Sequence, residues 1–381
     1  MKAFETPYYI LHEDRVAARC EAVRRLWDGD LCYAMKANPF LAAPFAKAVQ
    51  RIEVCSYGEY KICVQAHVDP RKVIFSGVVK EEDALQEVLN TWGSACVYTA
   101  ESERQFALLE NWAASHQTRL RVLARLSDGT QFGMDRTALG ALFRHHSPWI
   151  HLQGLHYFTG TMKRKPSVYA KEMAVLADVC SCIEAEGGHI DEIEYGPGIG
   201  VDYFSDKAPK YTEADFFEAL AEAAKPLRQK YRVTLEMGRA LAAPCGEYVS
   251  RIVDCKVNGG TGYVLIDGGS HQVHYDGMMR GMHVPHLRTI PARKGDQAWT
   301  IAGSLCSVND ILASKARLGA VQIGDCLVFE NAGAYAMDEG PALFLSHELP
   351  AVYAVKGQAV RILRRRMDTW PMHVDIEEDN Q

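Results

Sequence analysis

Eight short β-rich runs separated by amphipathic segments constrain the fold of this 381-residue chain more than any other feature of its sequence. The runs cover residues 31–35, 52–55, 73–76, 95–99, 120–126, 150–158, 190–195 and 233–237. The segments between them, such as 101–114, 169–186 and 213–230, carry apolar residues at helical spacing. Eight consecutive βα units predict an α/β fold in the form of a closed (β/α)8 TIM-like barrel.

From about residue 247 the pattern changes to strands and turns without intervening helices. β-rich runs cover residues 248–257, 263–266, 300–302, 326–330 and 352–355, and Asn258-Gly259-Gly260 marks a turn after the first of them. These runs predict a separate C-terminal β-sandwich or β-barrel domain. We therefore expect a cofactor-binding barrel over residues 11–245 and a β domain over residues 246–381, completed by an N-terminal strand from residues 1–10.

Composition and charge restrict the class of protein. A hydrophobic content of 48% is enough for a large core, and a net charge of −6 without a basic stripe argues against nucleic acid as a partner. No apolar run approaches the span of a bilayer and no signal-peptide core follows the first residues, so we expect no membrane association and a cytoplasmic location. Eleven cysteines without CxxC spacing are typical of reduced thiols in a cytoplasm.

Four predicted strand ends carry chemically useful groups, and in a barrel such ends gather at one face. They are Lys36, the segment 156–161, the glycine turn 196–200 and the segment 236–239. An amine, an aromatic and hydroxyl cluster, an anion-binding turn and an acid near a base are the parts that bind pyridoxal 5'-phosphate. We expect desolvation to disfavour the Lys36 ammonium, which would leave the amine free for imine chemistry. The histidines lack metal-site spacing, so no metal is expected.

Six motifs along the chain also occur in an informative order. They are Tyr33-Ala34-Met35-Lys36-Ala37-Asn38, Ser56-Tyr57-Gly58-Glu59, the turn 196–200, Glu236-Met237-Gly238-Arg239, Gly303-Ser304-Leu305-Cys306 with Asp310, and Asn331-Ala332-Gly333-Ala334-Tyr335. In this order they resemble the fold-type III pyridoxal-phosphate decarboxylases, the alanine-racemase-like barrel family that contains ornithine and diaminopimelate decarboxylases. The resemblance covers nearly the whole chain. It implies an amino-acid decarboxylase, a carboxy-lyase, that forms a homodimer with active sites at the subunit interface.

The resemblance also implies roles for individual residues. Lys36 would bind the cofactor covalently, and Glu236 would meet its pyridine nitrogen. Cys306 would enter the site of the other subunit and protonate the substrate carbon after CO2 has left. The other implied cofactor contacts are Phe158 at the ring, Gly198, Arg239 and Tyr335 at the phosphate, Thr161 where relatives usually have a serine, and Gly238 beside Arg239.

Three positions depart from the family pattern. Phe158 stands where relatives carry a histidine that stacks on the cofactor ring, and Pro197 replaces the middle glycine of the phosphate turn, which removes one N–H donor. Ser307 stands where the diamine-forming decarboxylases place an acid that meets the substrate's distal ammonium. A buried ammonium needs a carboxylate to offset its desolvation. We therefore expect a substrate whose far end is acylated, carboxylated or tethered to a carrier, with Ser307, Asp310 and His271 as substrate contacts.

Segments 267–272 and 344–347 resemble the family branch that works in siderophore and antibiotic pathways, which favours a role in specialised biosynthesis. One alternative is decarboxylation of a free basic amino acid, of the diaminopimelate, ornithine, lysine or carboxynorspermidine type. A second is amino-acid racemisation on the same barrel, against which the Cys306 motif argues. A third is a cofactor-poor homologue that only binds a partner, against which the joint presence of Lys36, Glu236 and Cys306 argues.

Overall fold

A computed structural model describes residues 4–375 of the chain. Its strands are β1 Tyr8–His12, β2 Asp30–Ala34, β3 Arg51–Val54, β4 Val73–Phe75, β5 Val97–Ala100, β6 Leu120–Arg125, β7 Ile150–Phe158, β8 Glu192–Gly196, β9 Arg232–Met237, β10 Gly246–Asn258, β11 Thr261–Ile266, β12 Leu287–Ile290, β13 Ala298–Ala302, β14 Ile311–Arg317, β15 Cys326–Phe329, β16 Ala351–Lys356 and β17 Ala359–Arg364. Its α-helices are α1 Glu13–Arg24, α2 Ala42–Ala48, α3 Tyr57–Gln65, α4 Glu82–Trp92, α5 Glu103–Ser115, α6 Arg136–Arg144, α7 Val168–Ala185, α8 Glu213–Arg228 and α9 Arg239–Ala242. Among these helices none has the length and apolarity needed to cross a membrane.

Strands β2 to β9 close into a parallel barrel in chain order, and β9 pairs back with β2. Each of the eight β-rich runs overlaps one of these strands. The (β/α)8 barrel predicted from the alternating pattern is therefore confirmed. Because all eight strands are parallel, their carboxyl ends lie at one rim, where the polar segments after β2, β7, β8 and β9 are found.

Polar residues at helix starts fix the chain where it leaves this rim. The Ser56 hydroxyl accepts a hydrogen bond from the Glu59 N–H at 3.1 Å and begins α3. Ser102 caps α5 in the same way. Thr212 and Asp215 form a capping box at the start of α8. Each cap satisfies backbone donors that have no partner within the helix.

The barrel interior contains buried ion pairs. Side chains alternate along a strand, so Arg51 and Glu53 of β3 face the interior while Ile52 and Val54 face outward. Arg51 Nη1 lies 3.0 Å from Glu192 Oε1 and 2.5 Å from Glu194 Oε2. Because β3 and β8 are not neighbours in the barrel, these ion pairs cross its interior. Burial raises the pKa of Glu194, and the Arg51 guanidinium opposes that rise.

The second compact unit contains the described residues up to Val16, Asp202–Pro209 and the described residues from Ala242 onward. Its strands form one connected nine-stranded sheet in the order β14-β13-β11-β10-β1-β16-β17, with β15 paired to β10 and β12 paired to β15. β1 lies between β10 and β16, so an N-terminal strand does join this sheet. Residues 1–3 of the segment predicted to supply it lie outside the described residues. The sequence placed residues 202–209 in the barrel domain, and they belong to this unit instead.

Replacing Arg51 with methionine should lower the free energy of unfolding by about 3–5 kcal/mol, because the buried Glu192 and Glu194 carboxylates lose their guanidinium partner. Arg71→Met is the matched control, since it removes an exposed ion pair with Asp69 and should leave stability nearly unchanged. Urea unfolding of the cofactor-free protein measures both variants. Equal stability of R51M and the wild type would contradict the structural role of this interior ion cluster.

Candidate active site

Lys36 follows β2 directly, in a short 3-10 turn over Met35–Ala37 whose other two residues are buried. The Tyr33 hydroxyl donates a hydrogen bond to the Asn38 carbonyl oxygen at 2.9 Å, and the Asn38 side chain accepts one from the Phe40 N–H at 3.1 Å. Pro39 begins the next 3-10 turn, where its missing N–H is not needed. These local contacts fix the turn and direct the lysine side chain to the rim of the barrel.

The Lys36 ammonium lies among acidic and thiol groups. Its Nζ is 2.7 Å from Glu53 Oε2, 3.7 Å from Glu236 Oε1 and 3.6 Å from Cys55 Sγ. The side chain is 41% exposed. These two carboxylates stabilise the ammonium, which opposes the effect of desolvation expected from the sequence. The Glu53 carboxylate is instead well placed to accept a proton when the amine attacks a carbonyl carbon.

Glu236 and His156 form a buried ion pair next to this lysine. His156 Nε2 lies 2.7 Å from Glu236 Oε2, and both side chains are almost fully buried. Burial alone would raise the pKa of Glu236, but Lys36 and His156 outweigh it and hold that pKa well below its usual range. Glu53, His156 and Glu236 have ligand atoms within 4.8 Å of one another, a spacing that also suits a cation. The Lys36 ammonium is the cation that lies beside them.

The turn after β8 requires glycine at position 198. Gly198 has a φ of +61°, and a Cβ at this position would overlap the Gly160 carbonyl oxygen. Only glycine fits such a position without strain. The Lys163 N–H donates to the Gly198 carbonyl at 3.0 Å, which ties the loop after β7 to this turn.

A partly buried polar cluster lies next to this turn. Glu172 of α7 accepts hydrogen bonds from Thr159 Oγ1 at 2.6 Å and Lys163 Nζ at 2.5 Å, and a third from the Tyr195 hydroxyl. The Tyr169 hydroxyl donates to the Pro197 carbonyl at 3.1 Å. Pro197 lacks an N–H, but its position is thus fixed through its carbonyl group.

The remaining predicted cofactor contacts of the barrel lie around this rim. Phe158 ends β7, and its ring packs against the backbone of Gly196 at the start of the turn. Thr161 is exposed on the loop after β7. Gly238 follows β9, and Arg239 begins α9 as a buried cation. The structure therefore brings Lys36, Phe158, Thr161, Gly198, Glu236, Gly238 and Arg239 to one end of one barrel.

Sequence reasoning missed several charged residues of the same rim. Glu53 was passed over although it contacts Lys36 directly. Arg125 Nη1 pairs with Glu101 Oε1 at 2.9 Å, and Lys80 Nζ donates to the Gly77 carbonyl oxygen at 2.8 Å. Burial lowers the pKa of Lys80 to about 8. The signal was present in the alternation of charged and apolar residues within single strands, as in Arg51-Ile52-Glu53-Val54.

The motif around Ser56 and Glu59 also has a clearer role in the structure. The Glu59 carboxylate accepts a hydrogen bond from the Cys55 N–H at 2.6 Å, while Ser56 caps α3. Burial raises the pKa of Glu59 to about 7. The motif thus fixes the backbone that carries Cys55 beside the active-site lysine.

The Cys306 loop lies in the β unit, where Cys306 itself is exposed. Asp310 is only 2% exposed, and its two carboxylate oxygens accept the N–H groups of Ser270 at 2.7 Å and Leu305 at 2.8 Å. A substrate contact was predicted for Asp310, but both oxygens hold the loop itself. Ser307 Oγ accepts the Asn309 N–H at 3.2 Å and shapes the loop tip.

His271 and Tyr335 lie in the same unit as this loop. His271 is 1% exposed, and its ring centre lies 4.8 Å from that of His347. Burial and His347 lower its pKa to about 4. A side chain buried this deeply in its unit is poorly placed for the predicted substrate contact. Tyr335 is partly buried and has a left-handed φ of 61° at the end of the 331–335 motif.

Known proteins match both the sequence and the architecture. The pyridoxal binding domain of the pyridoxal-dependent decarboxylases, as a family model, matches residues 13–243. L-glutamyl-(BtrI acyl-carrier protein) decarboxylase of Niallia circulans is 27% identical over 96% of this chain and 92% of its own length. Diaminopimelate decarboxylase of Aquifex aeolicus is 22% identical over 96% of this chain and 90% of its own.

A solved structure of similar shape extends over nearly the whole chain. The crystal structure of diaminopimelate decarboxylase from M. jannaschii has a TM-score of 0.87 and 21% sequence identity, and the match covers 99% of this chain and 93% of that one. At this identity the likeness concerns the fold, and it includes both the barrel and the β unit.

Gly198→Ala should weaken the affinity for pyridoxal 5'-phosphate at least about tenfold, because alanine strains the left-handed backbone and collides with the Gly160 carbonyl. Gly200→Ala is the matched control in the same turn, since its Cβ would meet only the flexible Met162 side chain, at 3.3 Å from the sulfur. Absorbance titration of cofactor-free protein gives both dissociation constants. Equal affinities for the two variants would show that the turn does not bind the phosphate.

Proposed function

The chain belongs to the pyridoxal-dependent decarboxylases, and from that premise we propose that its substrate is an amino acid or amino-acid conjugate whose far end is not an ammonium group. Pyridoxal 5'-phosphate is the cofactor, and the protein is a carboxy-lyase. The proposal concerns the identity of the substrate, the roles of the individual side chains and the assembly in which they act.

The barrel rim has the chemistry that this cofactor requires. The Lys36 ammonium lies at the rim beside Glu53, its proposed proton acceptor, and the Glu236 carboxylate is kept ionised to face a protonated ring nitrogen. The glycine turn at Gly198, whose left-handed backbone packs against the Gly160 carbonyl, follows β8 at this rim, and the buried Arg239 cation follows β9. We assign the phosphate to Gly198 and Arg239, with Thr161, Gly238 and Tyr335 as the further contacts that the family resemblance implies.

Bound pyridoxal phosphate supplies an electron sink for the pair left on Cα when CO2 departs. Glu236 holds the proton at the ring nitrogen, which keeps that sink strong. Lys36 would hold the cofactor covalently, and the Glu53 carboxylate, 2.7 Å from Nζ, would accept the proton that the ammonium must lose to form that bond. The Phe158 ring covers one side of the site by apolar contact. Cys306, exposed on its loop, would return a proton to Cα in the site of the other subunit.

The observation that carries the substrate proposal is the charge of the Cys306 loop. Ser307 is neutral, and both oxygens of Asp310 are occupied by backbone N–H groups. Arg280 donates a hydrogen bond to the Asn309 side chain, so the charged group at the loop tip is a cation. A distal ammonium brought to this loop would meet no available carboxylate from it, and it would pay a desolvation cost without compensation. A substrate whose far end is neutral or anionic is better matched to the charge of this loop.

One relative agrees with this charge pattern. The glutamyl group on an acyl carrier protein, which the Niallia circulans enzyme decarboxylates by name, has no distal ammonium. We propose a substrate of the same class here, acylated, carboxylated or carrier-bound, and a role in siderophore or other specialised biosynthesis. Free diaminopimelate is the second candidate, because relatives named diaminopimelate decarboxylase match nearly the whole chain and this substrate carries a distal carboxylate beside its ammonium.

Ser307→Glu should raise kcat/KM for free lysine or ornithine about tenfold or more, because it returns a carboxylate to the position that faces the far end of the substrate. Ser307→Gln is the matched control, since glutamine has the same shape without the charge. Release of CO2 by the cofactor-loaded proteins measures the effect. Equal activity of the two variants on basic amino acids would overturn the role assigned to Ser307.

A homodimer with shared active sites predicts rescue between two inactive variants. Co-expression of Lys36→Ala and Cys306→Ala chains should restore about a quarter of the wild-type sites, since half of randomly paired dimers are mixed and each has one complete site. The specific CO2-releasing activity of the whole co-expressed dimer population measures it, and each variant alone is the control. Activity that stays at the level of the separate variants would place both residues in the site of one subunit.

A further inference from the structure

Glu236 has two cationic neighbours, Lys36 and His156. In the proposed chemistry, Lys36 forms a covalent bond to the cofactor. Lys36 Nζ lies 3.7 Å from Glu236 Oε1, and His156 Nε2 lies 2.7 Å from Glu236 Oε2. A free ammonium has three N–H donors, but a lysine nitrogen bonded to a carbonyl carbon keeps at most one. Lys36 is also closer to Glu53, at 2.7 Å. Covalent attachment therefore weakens the support that Lys36 gives to Glu236.

We infer that His156 is a positioning residue that keeps the Glu236 carboxylate ionised and fixed in orientation while Lys36 is covalently engaged. This inference rests on the proposed placement of pyridoxal phosphate against Glu236. It assigns to His156 a contact with the carboxylate alone, and no contact with the substrate.

The burial of the His156 ring and its hydrogen bond to Glu236 support this role. His156 is 1% exposed. Its Nδ1 is buried and has no hydrogen-bond partner among the described residues, so the bond from Nε2 to Glu236 is the contact that orients the ring. The backbone of His156 pairs with Arg125 on one side and Glu194 on the other, which fixes the side chain at its level of the barrel interior.

The charges that surround His156 favour its protonated form. Glu53 on β3, Glu194 on β8 and Glu236 on β9 are acidic, and Arg125 on β6 is the opposing cation. Burial alone would lower the pKa of His156, but Glu236 outweighs it and raises that pKa above its ordinary value. A protonated imidazole at 2.7 Å gives Glu236 a charged donor that the reaction does not consume.

His156→Gln tests the inference because glutamine keeps an N–H donor but removes the charge. We expect the affinity of the variant for pyridoxal phosphate to fall about tenfold or more, measured by absorbance titration. His151→Gln is the matched control on the same strand, since His151 pairs with Asp191 at 3.0 Å outside this site. It should bind the cofactor as the wild type does.

Two further readouts separate positioning from a purely structural role. Because His156 carries its proton below its raised pKa, wild-type cofactor affinity should decline as pH rises through that pKa, and H156Q should lack this decline. In a Lys36→Ala background, which removes the other cation, H156Q should lower the melting temperature more than it does in the wild-type background. A structural role would give equal losses in both backgrounds and no change in the pH profile.

The outcomes distinguish this inference from the proposed function. A wild-type protein that binds no pyridoxal phosphate would overturn the placement of the cofactor itself. A wild-type protein that binds it, with H156Q matching both its affinity and its pH dependence, would overturn the role of His156 alone.

Discussion

The charged interior of the barrel is the constraint on which the rest of this structure depends. Carboxylates that enter a protein interior must be paired with cations or become protonated. At one level Arg51 is shared between Glu192 and Glu194. Toward the rim, Lys36 lies beside both Glu53 and Glu236, and His156 pairs with Glu236. The same requirement therefore stabilises the barrel and prepares its rim for chemistry.

Two residues near the predicted cofactor and substrate contacts, Pro197 and Ser307, differ from the family pattern described above. Pro197 removes a backbone donor from the turn, yet Tyr169 fixes its carbonyl and the cluster around Glu172 holds the adjoining loop. The turn therefore keeps its shape without the middle glycine. Asp310 keeps the loop of Ser307 in place through two backbone hydrogen bonds, and the effect of Ser307 on the charge offered to a substrate stays a prediction.

Much of the fold could be predicted from periodicity, because parallel strands and amphipathic helices leave different spacings in the sequence. Lys36 and Glu236 were found by their position at strand ends. Glu53 was missed because it lies within a strand and not at its end. A search for apolar runs does not reveal a charged side chain that faces the barrel interior. Strands β12, β14 and β17 were also missed. They are short or carry several polar residues, and their pairing depends on distant partners that local patterns do not reveal.

The roles of Cys306, Ser307 and Tyr335 remain predictions, because they depend on a cofactor and a substrate. The pairing of Lys36 with Glu53 opposes the effect of desolvation that the sequence predicts for this lysine. Distances inside a barrel are set by strand register and closure, which no motif encodes. The sequence thus predicts which groups react, and the structure shows the charges that surround Lys36 and Glu236.

The most direct test of the account is CO2 release by purified, cofactor-loaded protein across a substrate panel. One group holds free lysine, ornithine, arginine and meso-diaminopimelate, and the other holds glutamate, carrier-bound aminoacyl groups and citryl-conjugated diamino acids. The account predicts turnover confined to the second group. Efficient turnover of a free basic amino acid would contradict the charge argument at Ser307, and absence of CO2 release from every member would contradict the function itself.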